Sequence, residues 1–249
     1  MRFKFLILLF FYSYNMSAQR NFPKQYTPLS INVNFGAQMP AADLATRFGS
    51  NLCLGLGVER IALPSGWILG VDGFYAFGTT VNEDVLAPIR TTDGNIIGDI
   101  NTYADVELRE RAFYAGITGG KLFKFYDNGN KVGGLRFTFG LGFFQHNIRI
   151  QDNSNSAQQI VAPYDAGYDR LTNGLALSQF IGYQIVSRDK KVNFTIGFDF
   201  TEGFTKNRRG FNFDTRSRDD KSRFDVLYGF RIGWSFPVYT NQNAEDIEY

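Results

Sequence analysis

Few residues in this sequence combine the type and the spacing that catalysis or metal binding requires. The chain has one histidine, His146, and one cysteine, Cys53. A hydrolytic triad needs a serine and an acid beside the histidine in space, and no nucleophile elbow is present. A zinc site needs several ligands. One cysteine cannot form an intramolecular disulfide, and Cys53 is predicted to be a small buried residue. We therefore predict no catalytic residue, no metal site and no cofactor.

A second group of candidates consists of charged residues that alternate with large apolar ones: Glu59, Asp72, Arg136, Asp199, Asp225 and Arg231. Side chains of a strand alternate between its two faces, so these charges would share the less bulky faces of their strands. Charges enclosed by a small barrel must pair or form hydrogen bonds, because an isolated buried charge is very costly. We predict an interior charge network that fills the lumen. The alternative is a polar path for an ion or a small solute.

The alternation is clearest in the last apolar segment, Phe224–Phe236, where every second residue is aromatic or aliphatic. The intervening positions carry charge, glycine and serine, with one leucine. Small and charged side chains cannot supply the close packing of a protein core. The bulky face is therefore predicted to point outward, into lipid, which is the pattern of a transmembrane β-barrel.

Other segments complete a predicted set of eight strands. Six show the same alternation, and they begin at Leu29, Leu52, Trp67, Leu135, Leu175 and Val192. An eighth strand, Phe113–Phe123, is predicted from its composition and from parity. Medium or long connections alternate with short ones along the chain. The medium or long connections are Pro40–Ser50, Thr79–Arg109, Asn147–Arg170 and Lys206–Ser222. The short connections are Leu63–Gly66, Lys124–Lys131 and Ser187–Lys191. The predicted fold is all-β, an eight-stranded antiparallel up-and-down transmembrane β-barrel with both termini on the periplasmic side.

The ends of the chain and its composition fit this prediction. Arg2 and Lys4 precede the apolar stretch Phe5–Tyr12, and Ser17 and Ala18 offer a cleavage site, as in a secretory signal. We predict a signal peptide over residues 1–18, a barrel domain over 19–237 and a short periplasmic tail over 238–249. The net charge of the 249 residues is only +2, which gives no support to nucleic-acid binding.

These features together resemble the small eight-stranded outer-membrane barrels, the group of the OmpA transmembrane domain and the outer membrane protein β-barrel domain families. The resemblance covers roughly Leu29–Phe236. The series Tyr228, Ile232, Trp234 and Phe236 looks like the signal that barrel-assembly machinery reads, although the chain continues to Tyr249. The resemblance implies a bacterial outer membrane, with its lipids and lipopolysaccharide as surroundings and the assembly machinery as a partner in biogenesis. It specifies no activity.

The last long connection is predicted to be the main binding segment. Lys206–Arg223 contains seven cationic and three acidic residues, and its arginines include Arg208, Arg209, Arg216 and Arg218. Arginine suits phosphate and carboxylate groups. This segment would pair with the acidic-leaning Thr79–Arg111, or it would bind lipopolysaccharide phosphates or an envelope protein.

Three hypotheses for function follow from the sequence. The leading one is a non-enzymatic outer-membrane protein, a structural element or a scaffold whose loops or tail bind a partner. The second is a lipid-modifying hydrolase with His146 on the outer wall of the barrel, as in small barrels that deacylate lipid A. The third is a secreted lipocalin-like carrier, which requires the apolar faces to point inward.

Overall fold

The structure, a computed structural model, describes residues 29–63, 65–99, 102–128, 131–187 and 193–238. The barrel strands are β1 (Leu29–Ala42), β2 (Asn51–Ala62), β3 (Trp67–Gly78), β6 (Val106–Asp127), β7 (Lys131–Asp152), β8 (Thr172–Ser187), β9 (Phe194–Asn207) and β10 (Ser222–Val238). The connection from β3 to β6 contains a small hairpin of β4 (Ile96–Ile97) and β5 (Tyr103–Ala104). Helix α1 (Asp43–Arg47) follows β1, and short 3₁₀ turns lie at Ala87–Ile89, Gln158–Ile160 and Tyr164–Gly167.

The eight long strands form one closed antiparallel barrel, in which each strand pairs with the next and β1 pairs with β10. The predicted eight-stranded antiparallel barrel is thereby confirmed. No helix in the described part of the chain is long and apolar enough to cross a membrane. The predicted signal peptide and all but the first residue of the predicted tail lie outside the described residues. We call the side with the connections 43–50, 79–105, 153–171 and 208–221 the loop side, and the opposite side the turn side.

The large apolar residues of the strands point out of the barrel, as the alternation predicts. Leu56 and Leu69 are 61% and 72% exposed, whereas Glu59 and Asp225 are 5% and 1% exposed. Phe113 and Ile117 on β6 are also exposed, whereas Ala112 and Tyr114, the two neighbours of Phe113 in the chain, are buried. A carrier with its apolar faces inward is therefore the wrong interpretation for this chain.

Outward-facing charges mark the edges of the apolar wall. On β6, Lys121 lies toward the turn side and contacts the ring of Trp67 at 5.3 Å, while Arg111 lies toward the loop side. The ten-residue step between them covers about 33 Å of strand, or about 25 Å along the axis of a barrel tilted near 40°. This height matches the apolar band of transmembrane barrels. Polar residues that interrupt the outward wall include Gln145 beside Phe113, Gln179 beside Phe200 and Glu202 beside Leu177.

Strands β6 and β7 are longer than the sequence analysis predicted. Val106–Arg109 and Asn147–Asp152 were predicted to lie in loops, but they pair with each other as a ladder that extends beyond the neighbouring strands. Leu108 and Ile150 from this extension pack against the apolar cluster on the loop side, together with the fully buried Ile148. The tertiary contact of these inward side chains explains why the ladder continues.

Apolar side chains close both ends of the lumen. At the turn side, a small cluster contains Ile61, Leu63, Ile68, Leu122, Val132 and Val186. At the loop side, a larger cluster combines strand and loop residues, among them Leu44, Phe48, Leu86, Phe144, Ile160 and Tyr168. The polar residues of the interior lie between these two layers.

Candidate functional site

Among the described residues, one arginine–carboxylate pair of the interior joins strands that are not neighbours. Arg136 on β7 donates to both carboxylate oxygens of Glu59 on β2, at 2.7 Å and 2.5 Å, and to Gln184 Oε1 on β8 at 3.2 Å. Arg136 and Glu59 are buried. The pair connects two parts of the barrel wall across the lumen, so it holds the closed shape as well as satisfying its own charges.

The other predicted interior charges contact separate partners. Asp72 accepts a hydrogen bond from Thr118 at 2.6 Å, and Asp199 accepts one from Gln38 at 2.9 Å. The guanidinium of Arg231 lies over the ring of Phe180 at 4.3 Å from its centre. All of these side chains face the interior, and the guanidinium of Arg136 also lies near the ring of Phe180, at 5.9 Å.

A cavity of about 20 Å³ lies among these polar groups, and its lining includes Asn32, Glu59, Asp72, Thr118, Arg136 and Arg231. This volume is close to the space that one water molecule needs. Together with the apolar layers at both ends, it gives no support to the alternative of a polar path for solutes.

His146 faces the interior, and not the outer wall that the hydrolase hypothesis requires. It is 1% exposed, and its Nε2 lies 3.0 Å from Asp225 Oδ2, which also accepts a hydrogen bond from Thr205 at 2.5 Å. Ser178 pairs with Gly140, six residues along β7 from His146, which corresponds to about 20 Å. The hydrolase hypothesis therefore loses both its access to lipid and its serine.

On the loop side, four residues form a group of ion pairs that we call the cap cluster: Arg47, Glu83, Arg170 and Asp214. The two arginine side chains are buried, whereas Asp214 is partly buried and Glu83 is 34% exposed. Arg47 Nε lies 2.9 Å from one oxygen of Glu83, and Arg170 Nε lies 2.8 Å from the other. Arg170 also contacts Asp214 through Nη2 at 2.5 Å. Each residue comes from a different loop-side connection. The cap cluster therefore joins all four connections into one body above the barrel.

The electrostatics of the cap cluster depend on the ionised form of Glu83. Burial alone would raise the pKa of the Glu83 carboxyl, but the charges and hydrogen bonds of Arg47 and Arg170 outweigh burial and hold that pKa below its usual value. A carboxyl whose pKa is lowered by folding adds stability above its unfolded pKa, and this stability is lost as the pH falls through the folded pKa.

We expect the cap to loosen in acid, as the pH falls below the usual pKa of a glutamate, because protonation of Glu83 leaves the buried Arg47 and Arg170 without the carboxylate that they share. The measurement is amide hydrogen exchange of the loop-side connections at pH 6 and pH 3, corrected for the intrinsic pH dependence of exchange. Glu83→Gln should loosen the cap already at pH 6 and lose most of the further acid response. An equal acid response in the wild type and in Glu83→Gln would contradict this role of Glu83.

The arginines of the predicted binding segment differ in their surroundings. Arg209 forms a two-pronged contact with Asp169 of the preceding connection, and Arg218 pairs with Asp220 at 2.8 Å. Arg208 donates to Asn173 Oδ1 at 2.6 Å, and Arg216 is exposed at a tight turn with a positive φ of 48°. Three of the seven cations in 206–223 form ion pairs: Arg209, Arg218 and Arg223. The other four are Lys206, Arg208, Arg216 and Lys221.

The expected direct pairing of this segment with Thr79–Arg111 does not occur among the ion pairs of the described residues. Arg170 joins the two instead, because it contacts Glu83 on one side and Asp214 on the other. Sequence analysis missed Arg170, Arg47 and Glu83 as site residues. No local signal marks them, since they are single charges in separate connections.

The comparisons with known proteins find barrels of similar length in distant proteins. Neisserial surface protein A is 6% identical, with a TM-score of 0.42, over 84% of this chain and 97% of that chain. Ail, the attachment invasion locus protein of Yersinia pestis, is 12% identical, with a TM-score of 0.38, over 84% and 99%. The outer membrane protein OprG from Pseudomonas aeruginosa is 9% identical, with a TM-score of 0.35, over 86% and 99%. No family model and no curated protein matches the chain. The strand topology itself establishes the eight-stranded barrel.

Proposed function

We propose that this protein is a non-enzymatic scaffold of the bacterial outer membrane, whose loop-side surface binds an acidic protein partner. The observation that carries the proposal is the cap cluster, which joins all four loop-side connections through ion pairs of two buried arginines. Binding residues are commonly placed on loops that a rigid scaffold holds in position. The closed interior leaves the cap and the outer wall as the surfaces on which function depends.

The orientation is part of this proposal. The apolar wall of about 25 Å between Lys121 and Arg111 fits a bilayer, and the long connections then face the outside of the cell. Residues 1–18 act as the signal peptide, 19–237 form the barrel domain and 238–249 form a periplasmic tail. Lipopolysaccharide surrounds the loop-side rim, and the aromatic series of β10 engages the assembly machinery during biogenesis.

The surface that fits a partner is the cap tip, which we define as Tyr164, Phe211, Arg216, Arg218 and Lys221. Tyr164 and Phe211 are 58% and 48% exposed. Phe213 links their connections, because its ring lies 5.4 Å from Tyr168 and 6.3 Å from Phe211. Exposed aromatic residues and arginines are enriched at the centres of protein interfaces. The cations select an acidic partner surface.

The test is co-purification from native membranes with the variant Phe211→Ser/Arg216→Gln/Lys221→Gln. Arg209 is left unchanged because it holds Asp169. We expect retention of an acidic protein to fall by about tenfold or more at physiological salt, where exposed charges are screened beyond about 8 Å. The control variant Arg111→Gln/Arg149→Gln changes two charges on the wall and should keep the partner. Unchanged protein partners at every salt concentration, or a loss of lipopolysaccharide alone, would reject the proposal.

A further inference from the structure

The loop-side rim of the outer wall has a one-sided distribution of charge. Five cations lie on or over the outward faces of strands β6 to β9: Arg109, Arg111, Arg149, Lys206 and Arg208. On the other half of the rim, the outward positions of β10, β1, β2 and β3 carry Phe224, Met39, Leu52 and Phe77. A generic interfacial ring of cations would surround the barrel, so this asymmetry distinguishes one wall from the rest.

Two of these cations face each other. Arg109 and Arg149 are register partners on β6 and β7, and like charges directly opposite each other on a sheet are destabilising. Arg109 turns to Glu107, with Nε at 3.0 Å from the carboxylate. Arg149 is exposed and has no ion-pair or hydrogen-bond partner among the residues that the structure describes. Glu107 thereby neutralises Arg109, and Arg149 is left as the cation available to an added anion.

Arg111 lies next to this pair and retains donors for an anion. One of its terminal nitrogens donates to the carbonyl oxygen of Glu110 at 2.6 Å. This hydrogen bond holds the side chain in position and leaves the other N–H groups of the guanidinium for an anion. A guanidinium presents five donors in a planar fork that matches the oxygens of a phosphate.

An apolar groove of about 880 Å³ lies on the outer surface where β2 and β3 meet β6 and β7, so it begins at the edge of the cationic wall and on the turn side of Arg111. Its lining includes Leu56, Val71, Gly73, Ala115, Ile117 and Phe143. Gly73 and Ala115 are register partners between larger residues, and Ala115 also pairs with Phe143. The small side chains at this point explain the depth of the groove. Ala115 lies four residues from Arg111, about 13 Å along the strand.

We propose that this wall binds one anionic membrane lipid, with a phosphate held by Arg111 and Arg149 and an acyl chain in the groove of Gly73, Ala115 and Ile117. A lipid fits this site because the arginines lie at the edge of the apolar band, where a headgroup lies, and the groove lies within the band, where an acyl chain lies. Lys206 and Arg208 extend the cationic surface for a second acidic group of the same headgroup. The site shares no residue with the cap tip, so either proposal can fail without the other.

The test is native mass spectrometry of the detergent-purified protein titrated with lipid A, a phosphorylated and multiply acylated lipid, or with phosphatidylcholine, which has no net charge. The headgroup site is removed by the double variant Arg111→Gln/Arg149→Gln. The acyl-chain groove is blocked by Ala115→Phe. Each is expected to weaken lipid A binding by about tenfold or more, which is about 1.4 kcal/mol, and to leave phosphatidylcholine binding unchanged.

Matched controls separate a site from general charge and bulk. Arg216→Gln/Arg218→Gln removes two loop arginines, and Ala37→Phe adds the same bulk on β1 between Leu52 and Phe230. Both should bind lipid A as the wild type does. Wild-type binding by the wall arginine variant, or equal loss in the loop control, would overturn the headgroup site. Wild-type binding by Ala115→Phe would overturn the acyl-chain groove. An unboiled gel mobility like that of the wild type verifies that each variant is folded.

Discussion

Replacing Arg136 by methionine is expected to destabilise the barrel by about 3–5 kcal/mol, because Glu59 would remain buried without its cation. Replacing both residues by apolar ones should recover most of this loss, since no charge is then left unpaired. Urea unfolding in detergent micelles, followed by tryptophan fluorescence, measures the free energy of unfolding of each variant.

Two other arginines serve as references for this experiment. Arg208→Leu changes an exposed side chain and should cost about 0–1 kcal/mol. Arg231→Leu should cost more than Arg208→Leu but less than the Arg136 variant, because Arg231 lies over Phe180 and forms no ion pair in the described residues. If Arg136→Met and Arg208→Leu unfold at the same urea concentration, the ion pair does not hold the barrel closed.

Replacing Arg170 by methionine is expected to release the cap while the barrel stays folded. The change removes the cation that Glu83 and Asp214 share. Asp214 is then the partly buried carboxylate without its arginine, while Glu83, which is one-third exposed, keeps Arg47. Hydrogen bonds to charged groups contribute about 1.5–3 kcal/mol, and less where water reaches them. We expect amide exchange and proteolysis in the four loop-side connections to become faster by about tenfold or more.

The matched control for the cap is Arg218→Met, whose ion pair with Asp220 is about 70% exposed on both sides. It should leave exchange and proteolysis unchanged, because exposed pairs contribute little. Equal effects of the two substitutions, or acceleration confined to the connection of Arg170 itself, would show that the cap cluster does not join the connections into one body.

The barrel could be predicted from sequence because its information is local and repeated. A period of two in hydrophobicity gives both the strand and its facing, as in Phe224–Phe236, and parity of the connections gives the even strand number. The ends of β6 and β7 were not predictable in this way. Their extension depends on Ile148 and Leu108 packing against loop residues that are distant in sequence.

The candidate site was only partly predictable, for a related reason. The alternation in the sequence identified Glu59, Arg136 and Arg231 as inward-facing. It could not show that Arg136 pairs with Glu59 and that Arg231 contacts Phe180. Alternation fixes the face on which a side chain lies, but it does not fix the level of that side chain along the barrel axis. The cap cluster joins residues as far apart as Arg47 and Asp214. His146 lies an even number of residues from Arg136 on β7, so the alternation places both side chains on the inward face. This spacing was the sequence evidence against a site on the outer wall.

The central claim, an apolar outer wall in lipid around a closed interior, has a direct optical test. The chain contains two tryptophans, Trp67 and Trp234, and both point outward near the turn side, at 60% and 54% exposure. In vesicles, lipids brominated on their acyl chains should quench most of the tryptophan fluorescence, whereas iodide in the aqueous phase should quench little of it. Strong quenching by iodide without quenching by the brominated lipids would place this wall in water and contradict the account.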